Sequence, residues 1–131
     1  MTPPYTKKLL ARFYKPKFVK NLKNPDGVGE IGNVACGDIM HLEIKVVDGK
    51  IKDIGFKTFG CGAAIASSDV VCELAKGKTL EEAKKITKQD IIKKLGGMPP
   101  IKVHCSVLGI EALKKAIENY EEKIKWISLQ N

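Results

Sequence analysis

The sequence lacks several features that would assign it at once to a known class of protein. No hydrophobic run approaches the roughly 18 residues that a helix needs to cross a bilayer, so we expect no membrane association. No two cysteines are separated by two residues, which excludes a zinc finger or ribbon built from local CxxC knuckles. No internal repeat or low-complexity segment is present. The 131 residues fit one domain (1–131) that buries a core without disulfides or a metal, so any metal is expected to be functional.

Acidic residues are missing from the first 25 positions, which hold seven of the 23 basic residues. The net charge is +8, and the remainder of the chain is close to neutral. This basic N-terminal helix and arm (1–25) could be a transit peptide, a nucleic-acid arm or a docking site for an acidic protein. A single arginine and no serine in the segment disfavour a transit peptide. Lysines without clustered arginine or stacking aromatics disfavour nucleic acid, which we do not expect as a partner.

Cysteine is scarce, and no secretory signal accompanies it. The four cysteines, Cys36, Cys61, Cys72 and Cys105, therefore indicate a reducing compartment, and we expect the cytoplasm. There, scattered cysteines are more often metal ligands or catalytic thiols than disulfides. Cys72 follows Ile65 by seven residues on one face of a predicted helix, so we interpret it as core packing.

Alternation of apolar and polar residues predicts an antiparallel meander in an α+β domain. Met40 to Val46 alternates with period two, Asp48-Gly49 is a two-residue hairpin signal, and Ile51 to Thr58 is the returning strand. Val28 to Ala35 reads as a peripheral third strand. The hairpin brings residues 36–38 and 59–61 to one edge of this three-stranded sheet. About five helices are expected: Tyr5–Tyr14 as a docking helix, Cys61–Lys76, two after the caps Thr79 and Thr87, and one from Ser106.

The stretch Phe56–Ser68, FKTFGCGAAIASS, centres on Cys61. A strand-like run ends in Gly60-Cys61-Gly62, and a helix-forming segment follows at once. We expect the glycines to leave the sulfur unshielded and to adopt positive φ, and the helix N-terminus to favour the thiolate. The alternative is a small buried hydrophobe, the commonest fate of a free cysteine.

The segment Met98–Ser106 contains a second cysteine in a comparable setting. Its prolines predict an extended passage that enters the last helix near Ser106 as N-cap, so Cys105 would repeat the placement of Cys61. The last helix carries an amphipathic stripe that is expected to cover the sheet. The stripe consists of Ile110, Leu113, Ile117, Tyr120, Ile124 and Ile127.

Cys36, Cys61 and Cys105 share a context at strand ends and helix starts, with Asp38 and His104 nearby in sequence. Thiolates with one nitrogen or oxygen ligand suit zinc or an iron–sulfur cluster. A hard carboxylate among soft sulfurs would leave one corner of a cluster exchangeable. His104, adjacent to Cys105, is an alternate ligand or a proton carrier, or has no role.

Lys102 and His41 are two further polar residues whose roles the sequence leaves open or assigns to the surface. Lys102 could offset the negative charge of the thiolates, or it could be an ordinary surface lysine. His41 faces away from Met40 and Leu42 by strand parity, and we expect it to be solvated.

Three motifs in this order resemble the iron–sulfur cluster assembly scaffold family, of the IscU or NifU N-terminal type: ACGD (35–38), FKTFGCGAAIASS (56–68) and MPPIKVHCS (98–106). The resemblance extends from about Tyr5 to Tyr120. It implies a compact α+β domain with a three-stranded antiparallel sheet, and zinc in the same pocket when no cluster is present. It also implies a labile [2Fe-2S] cluster bound by Cys36, Cys61 and Cys105, with Asp38 or His104 completing the set.

The resemblance also implies partners. A cysteine desulfurase supplies sulfur as a persulfide, with Cys105 as our candidate acceptor, and the cluster passes to acceptor apoproteins. A frataxin-like protein and a ferredoxin assist, and two chains can form a homodimer around a cluster. Pro99, Pro100, Ile101 and Lys102 match a stretch recognised by an Hsp70-type chaperone, with Met98 and Ile101 departing from the usual LPPVK. Tyr5 matches a tyrosine linked to persulfide handling and self-association.

The three thiols favour a non-enzymatic scaffold over two alternatives. The runner-up is a zinc-dependent sulfurtransferase that accepts persulfide from a desulfurase. The insertion that marks that branch is absent between Cys61 and Cys105. The third reading, a lysine-rich nucleic-acid-binding module, leaves the thiols unexplained.

Overall fold

The computed structural model describes residues 5–33 and 38–130, except for the side chains of Asn33, Asp38 and Ile101. It confirms the predicted α+β architecture of a three-stranded sheet with five helices. The predicted ligand Cys36 lies outside the described residues. The elements are α1 (Lys7–Tyr14), β1 (Gly27–Asn33), β2 (Asp38–Val47), β3 (Lys50–Phe59), α2 (Gly62–Ala75), α3 (Leu80–Lys84), α4 (Lys88–Lys94), a 3₁₀ turn (Pro100–Lys102) and α5 (Val103–Gln130).

The sheet is an antiparallel meander in the order β1-β2-β3. Asp48 and Gly49 have φ of 54° and 73°, the left-handed conformation that a tight hairpin turn demands, so the predicted two-residue turn is confirmed. Ile39 pairs with Phe59 at the other end of this hairpin. β1 ends at Asn33, and the last two residues of the predicted strand, 34 and 35, lie outside the described residues.

One face of the sheet is fully buried beneath α2 and α5. The approach of α5 to β1 is so close that a Cβ on Gly29 would lie 2.1 Å from the backbone oxygen of Ala112. Glycine in β1 therefore allows backbone to meet backbone. The buried apolar side chains of the sheet are Met40, Leu42, Ile44, Ile51, Ile54 and Phe56.

The last helix extends beyond the sheet that its first half covers. Residues 121–130 are all exposed, and the side chains of Ile124 and Ile127 retain 46% and 55% of their accessible surface. The expectation that the whole amphipathic stripe covers the sheet is therefore wrong for its last turns, because α5 extends past the edge of the sheet. None of the helices in the described ranges combines the length and hydrophobicity that a membrane span requires.

The basic N-terminal segment is bonded to the rest of the fold. α1 begins at the cap Thr6 and packs on α2, and the arm that follows it runs beside β3. Val19 forms a parallel bridge with Phe56, whose N–H donates to the Phe18 carbonyl at 3.0 Å. Further along the arm, Lys20 Nζ donates to Asp53 Oδ1 at 2.9 Å.

Candidate metal centre

Cys61 occupies the N-cap position of α2, as the sequence predicted. Its backbone is extended, with φ −76° and ψ 169°, and its carbonyl accepts the N–H groups of Ala64 and Ile65. Its side chain makes no capping hydrogen bond, and the residue is partly exposed. The sulfur therefore lies at the positive end of the helix dipole.

Gly62 is favoured by close packing and not by its φ angle. We expected the glycines beside Cys61 to adopt positive φ, but for Gly62 this is wrong. A Cβ at this position would lie 3.1 Å from the ring of Phe13, so the absence of a side chain lets α1 pack against the start of α2. The positive-φ glycines in the described ranges lie in turns, at Gly49, Gly77, Gly96 and Gly97.

Cys105 lies within the first turn of α5, where the sequence had predicted extended chain. Pro100 begins a 3₁₀ turn, since a proline at the first helical position loses no hydrogen bond, and α5 follows directly from Val103. Ser106 is therefore not an N-cap: its Oγ donates to the Val103 carbonyl at 2.6 Å. Cys105 is 1% exposed and packs against Ala63 and Ala64 of α2.

The two sulfurs meet although they are 44 residues apart. Cys61 Sγ and Cys105 Sγ are separated by 3.5 Å, and neither cysteine forms a disulfide. Two thiolates bound at about 2.3 Å to one tetrahedral metal atom lie roughly 3.8 Å apart, whereas disulfide sulfurs lie about 2.05 Å apart. The observed separation therefore fits two ligands of one centre. Ser67 Oγ supports the arrangement by donating to the Ala63 carbonyl at 2.7 Å and the Cys105 carbonyl at 3.3 Å.

His104 adds a nitrogen beside this thiol pair. Its Nε2 lies 3.5 Å from Cys105 Sγ, and the residue is exposed. This contact suits a hydrogen bond between imidazole and sulfur as well as an alternate ligand. Within the part of the chain that the structure describes, no three His, Cys, Asp or Glu side chains form a group able to hold a metal ion. The described residues thus provide a pair of sulfur donors with a histidine at their edge.

The backbone of Asp38 lies at the same end of the sheet as Cys61. Asp38 begins β2, and its neighbour Ile39 pairs with Phe59, two residues before Cys61. The predicted convergence of residues near 38 with those near 59–61 is confirmed for this backbone. The Asp38 side chain and all of Cys36 lie outside the described residues, so their part in the site remains a prediction.

Cys72 lies in the core, as predicted. It is 0% exposed, and burial raises the pKa of its thiol well above the usual value, with a further increase from the charge of Asp69. A thiol that stays protonated and inaccessible is neither a ligand nor a nucleophile.

The remaining predicted residues lie at two places. Tyr5 is partly buried against the main core. Pro99 is buried, Pro100 is exposed and Lys102 is half-buried, with the Lys102 N–H donating to the Pro99 carbonyl at 2.8 Å. The side chain of Ile101 lies outside the description.

The sequence reasoning missed Asp69, the buried carboxylate that fixes the N-terminal segment to α2. Asp69 Oδ1 accepts the backbone N–H groups of Lys17 and Phe18, both at 2.8 Å, and Oδ2 lies 2.9 Å from Arg12 Nη1. Arg12 also binds Glu73 at 2.7 Å. Burial alone would raise the pKa of Glu73, but hydrogen bonds from Lys94 and Arg12 lower it. Two acids in an otherwise apolar helix, Asp69 and Glu73, and the chain's single arginine were the available signals.

His41 is held between two acids and is not simply solvated. It faces away from the core as predicted, but its Nδ1 lies 3.2 Å from Glu30 and its Nε2 2.9 Å from Glu43. The hydrogen bond to Glu43 is the main reason that the pKa of His41 is raised. Burial would raise the pKa of Glu43, but hydrogen bonds from His41 and the Leu22 N–H lower it.

These observations define an α+β domain that presents a thiol pair between two helices at one end of a meander. The family described as NifU-like N terminal domain matches residues 4–126, and the chain belongs to that family. The iron-sulfur cluster assembly scaffold protein IscU 1 of Archaeoglobus fulgidus is 50% identical over 119 residues, 91% of this chain and 78% of that protein. The protein named IscU in Escherichia coli (strain K12) is 47% identical over 123 residues, 91% and 95% of the two chains.

A solved structure supports the fold independently. The N-terminal part of a nitrogen-fixing NifU-like protein from Brucella abortus superposes with a TM-score of 0.73 at 21% identity, covering 90% of this chain and 94% of that one. At this identity the likeness shows a shared fold, and the arrangement of sheet and helices is therefore that of a known architecture.

Proposed function

We propose that this chain is a non-enzymatic scaffold on which a labile [2Fe-2S] cluster is assembled and then passed to acceptor apoproteins. The observation that carries the proposal is the 3.5 Å separation of Cys61 Sγ and Cys105 Sγ, one at a helix N-cap and one in the first turn of α5. The relatives reported above are named scaffold proteins, which favours this function over a zinc-dependent sulfurtransferase. Zinc is proposed as an occupant of the same site before a cluster is built.

The proposed ligands are Cys61, Cys105 and Cys36, with Asp38 or His104 as the fourth. Iron–sulfur clusters are held by cysteine thiolates, and Cys61 presents its sulfur at a helix N-terminus. A carboxylate at the fourth position is a harder and weaker ligand for this cargo than a thiolate. The weaker bond at this fourth position would allow the cluster to pass to an acceptor.

A cysteine desulfurase is the proposed sulfur donor, with Cys105 as the candidate acceptor. Cys105 is buried beside the more exposed Cys61, so sulfur delivery to it requires the start of α5 to move or Cys61 to receive the sulfur first. A frataxin-like protein, a ferredoxin and an Hsp70-type chaperone that reads Pro99–Lys102 are further proposed partners. A homodimer around one cluster, with self-association through Tyr5, is also proposed. Free thiols make the cytoplasm the proposed location.

Anaerobic reconstitution with iron and sulfide tests the scaffold directly. With the iron supplied in the ferric form, so that two Fe³⁺ and two S²⁻ make the cluster without an oxidant, the wild-type chain should develop a visible iron–sulfur absorption spectrum. Cys61→Ser and Cys105→Ser should each retain less than about a tenth of it, because each removes a thiolate ligand. Cys72→Ala is the matched control and should retain the spectrum. No chromophore in fully reduced wild-type protein, together with tight zinc binding, would select the sulfurtransferase.

Asp38→Ala tests the exchangeable corner. Replacement of the hard oxygen ligand should slow cluster transfer to an apo-acceptor, followed by the loss of donor absorbance with time. Faster transfer than from the wild-type chain would contradict the proposed role of Asp38.

A further inference from the structure

A groove of about 1000 Å³ lies between α1, α4 and the last turn of α2. Its walls come from α1, the arm after it and α4, and Leu74 from the last turn of α2 lies in it. Leu74 follows Cys61 by 13 residues, roughly 20 Å along α2, whereas Tyr14 at another wall of the groove adjoins Phe13, which packs against Gly62.

The walls of the groove are strongly cationic. Arg12 lies in it but is occupied by Asp69 and Glu73, and Lys94 binds Glu73 at 3.0 Å. One carboxylate, Asp90, lines it, and its oxygen accepts the Thr87 N–H of the capping box. Five further lysines line the groove and form no ion pair with any carboxylate in the described ranges: Lys8, Lys15, Lys17, Lys78 and Lys93.

The floor of the groove is aliphatic. Leu74 and Ile86 are partly buried and Ala11 lies beside them, whereas Tyr14, with 74% of its surface exposed, supplies the aromatic side chain. Nucleic-acid grooves usually pair cations with several stacking aromatics and with free arginine. An aliphatic floor between unpaired lysines instead fits a protein segment that carries both carboxylates and apolar side chains.

We propose that this groove is a docking site for an acidic amphipathic segment of a partner protein. Carboxylates of the segment contact the lysines of α1 and α4, and its apolar side chains cover Leu74 and Ile86. Charge complementarity of this kind accelerates association and selects the partner. The proposal is independent of the metal site, so it can fail or succeed without any cluster.

Fluorescence anisotropy with a labelled helical peptide of glutamate and leucine tests the proposal on the full chain without metal. We expect saturable binding that is about tenfold weaker in Lys8→Glu/Lys15→Glu/Lys93→Glu, because each lost rim contact contributes modestly. The matched control Lys114→Glu/Lys123→Glu/Lys125→Glu makes the same change in net charge on exposed lysines of α5 and should weaken binding less than about twofold.

Three comparisons decide the outcome. A peptide with glutamine in place of glutamate should bind at least about tenfold more weakly, and peptide binding should shift the NMR amide signals of Leu74 and Ile86. Equal losses in the two triple variants would show unspecific charge attraction and overturn the proposal. Tighter binding of a single-stranded DNA oligonucleotide than of the acidic peptide would overturn it in favour of nucleic acid.

Discussion

The start of α2 and its second half place cysteine and other polar side chains in opposite environments. At its start, Cys61 is partly exposed, forms no capping hydrogen bond and touches Cys105. Eight residues further, Asp69 is fully buried and binds two backbone N–H groups and Arg12, and Cys72 is inaccessible beside it. The second half of α2 is thus anchored by several hydrogen bonds, whereas its start carries an accessible thiol that makes no capping hydrogen bond.

The difference explains how a site can be both positioned and open. The Asp69 contacts fix α1 and the arm onto the second half of α2, where satisfied hydrogen bonds make burial of a charge tolerable. The thiol end is fixed mainly through packing of Ala63 and Ala64 against Cys105. A site that must release its cargo is served by packing contacts in place of a buried ion pair, since elements that move are drawn from the less stable parts of a fold.

Asp69→Ala removes the carboxylate that anchors the second half of α2 and should have the largest effect on stability. It leaves the N–H groups of Lys17 and Phe18 without their acceptor and removes one partner of Arg12, so the free energy of unfolding should fall by about 3 kcal/mol. Urea denaturation followed by circular dichroism measures the loss. Glu81→Ala, which breaks an exposed pair with Lys84, is the control and should leave stability essentially unchanged. A loss below about 1 kcal/mol for Asp69→Ala would contradict the importance of this contact.

Thiol labelling sharpens the same comparison with the protein intact. Iodoacetamide should modify Cys61 at least about a hundredfold faster than Cys72, because alkylation needs an accessible thiolate and Cys72 reacts only after local opening. Peptide mass spectrometry over a time course gives both rates from one sample. In denaturant the two rates should converge, and similar rates in the folded chain would show that the halves of α2 do not differ as described.

Much of the fold could be predicted because its signals are local. Period-two alternation located β2, Asp48-Gly49 fixed the hairpin, and Thr79 and Thr87 form the capping boxes that their spacing indicated. The start of α5 was misplaced because two prolines were read as a barrier to helix, whereas Pro100 fits the first position of a 3₁₀ turn.

The site was predictable to the extent that topology brings strand ends and helix starts together. Cys61 Sγ and Cys105 Sγ lie 3.5 Å apart, as this topology indicated, although Cys105 is more buried than expected; their role as ligands stays a prediction. Asp69 was missed since its partners Arg12, Lys17 and Phe18 are more than fifty positions away, and nothing local marks such a contact. The lysine groove was missed for the same reason: its walls come from separate helices.

The smallest expected effect concerns the second acid that holds the arm. Glu43 Oε1 accepts the Leu22 N–H at 2.8 Å, and the other oxygen of the same carboxylate binds His41. The contact between Glu43 and the arm therefore depends on a histidine that can titrate, whereas the Asp69 contacts do not. The folded state raises the pKa of His41, so its stabilising contribution is complete below the ordinary value of 6.5 and is lost as pH rises through the raised pKa. The amount should be below about 1 kcal/mol, because the side chain is about a third exposed and solvent screens the pair. Urea midpoints measured from pH 6 upward should therefore decline in the wild-type chain and decline less in both His41→Gln and Glu43→Gln. Parallel pH profiles in all three proteins would show that this contact, unlike the Asp69 contacts, contributes nothing to holding the arm.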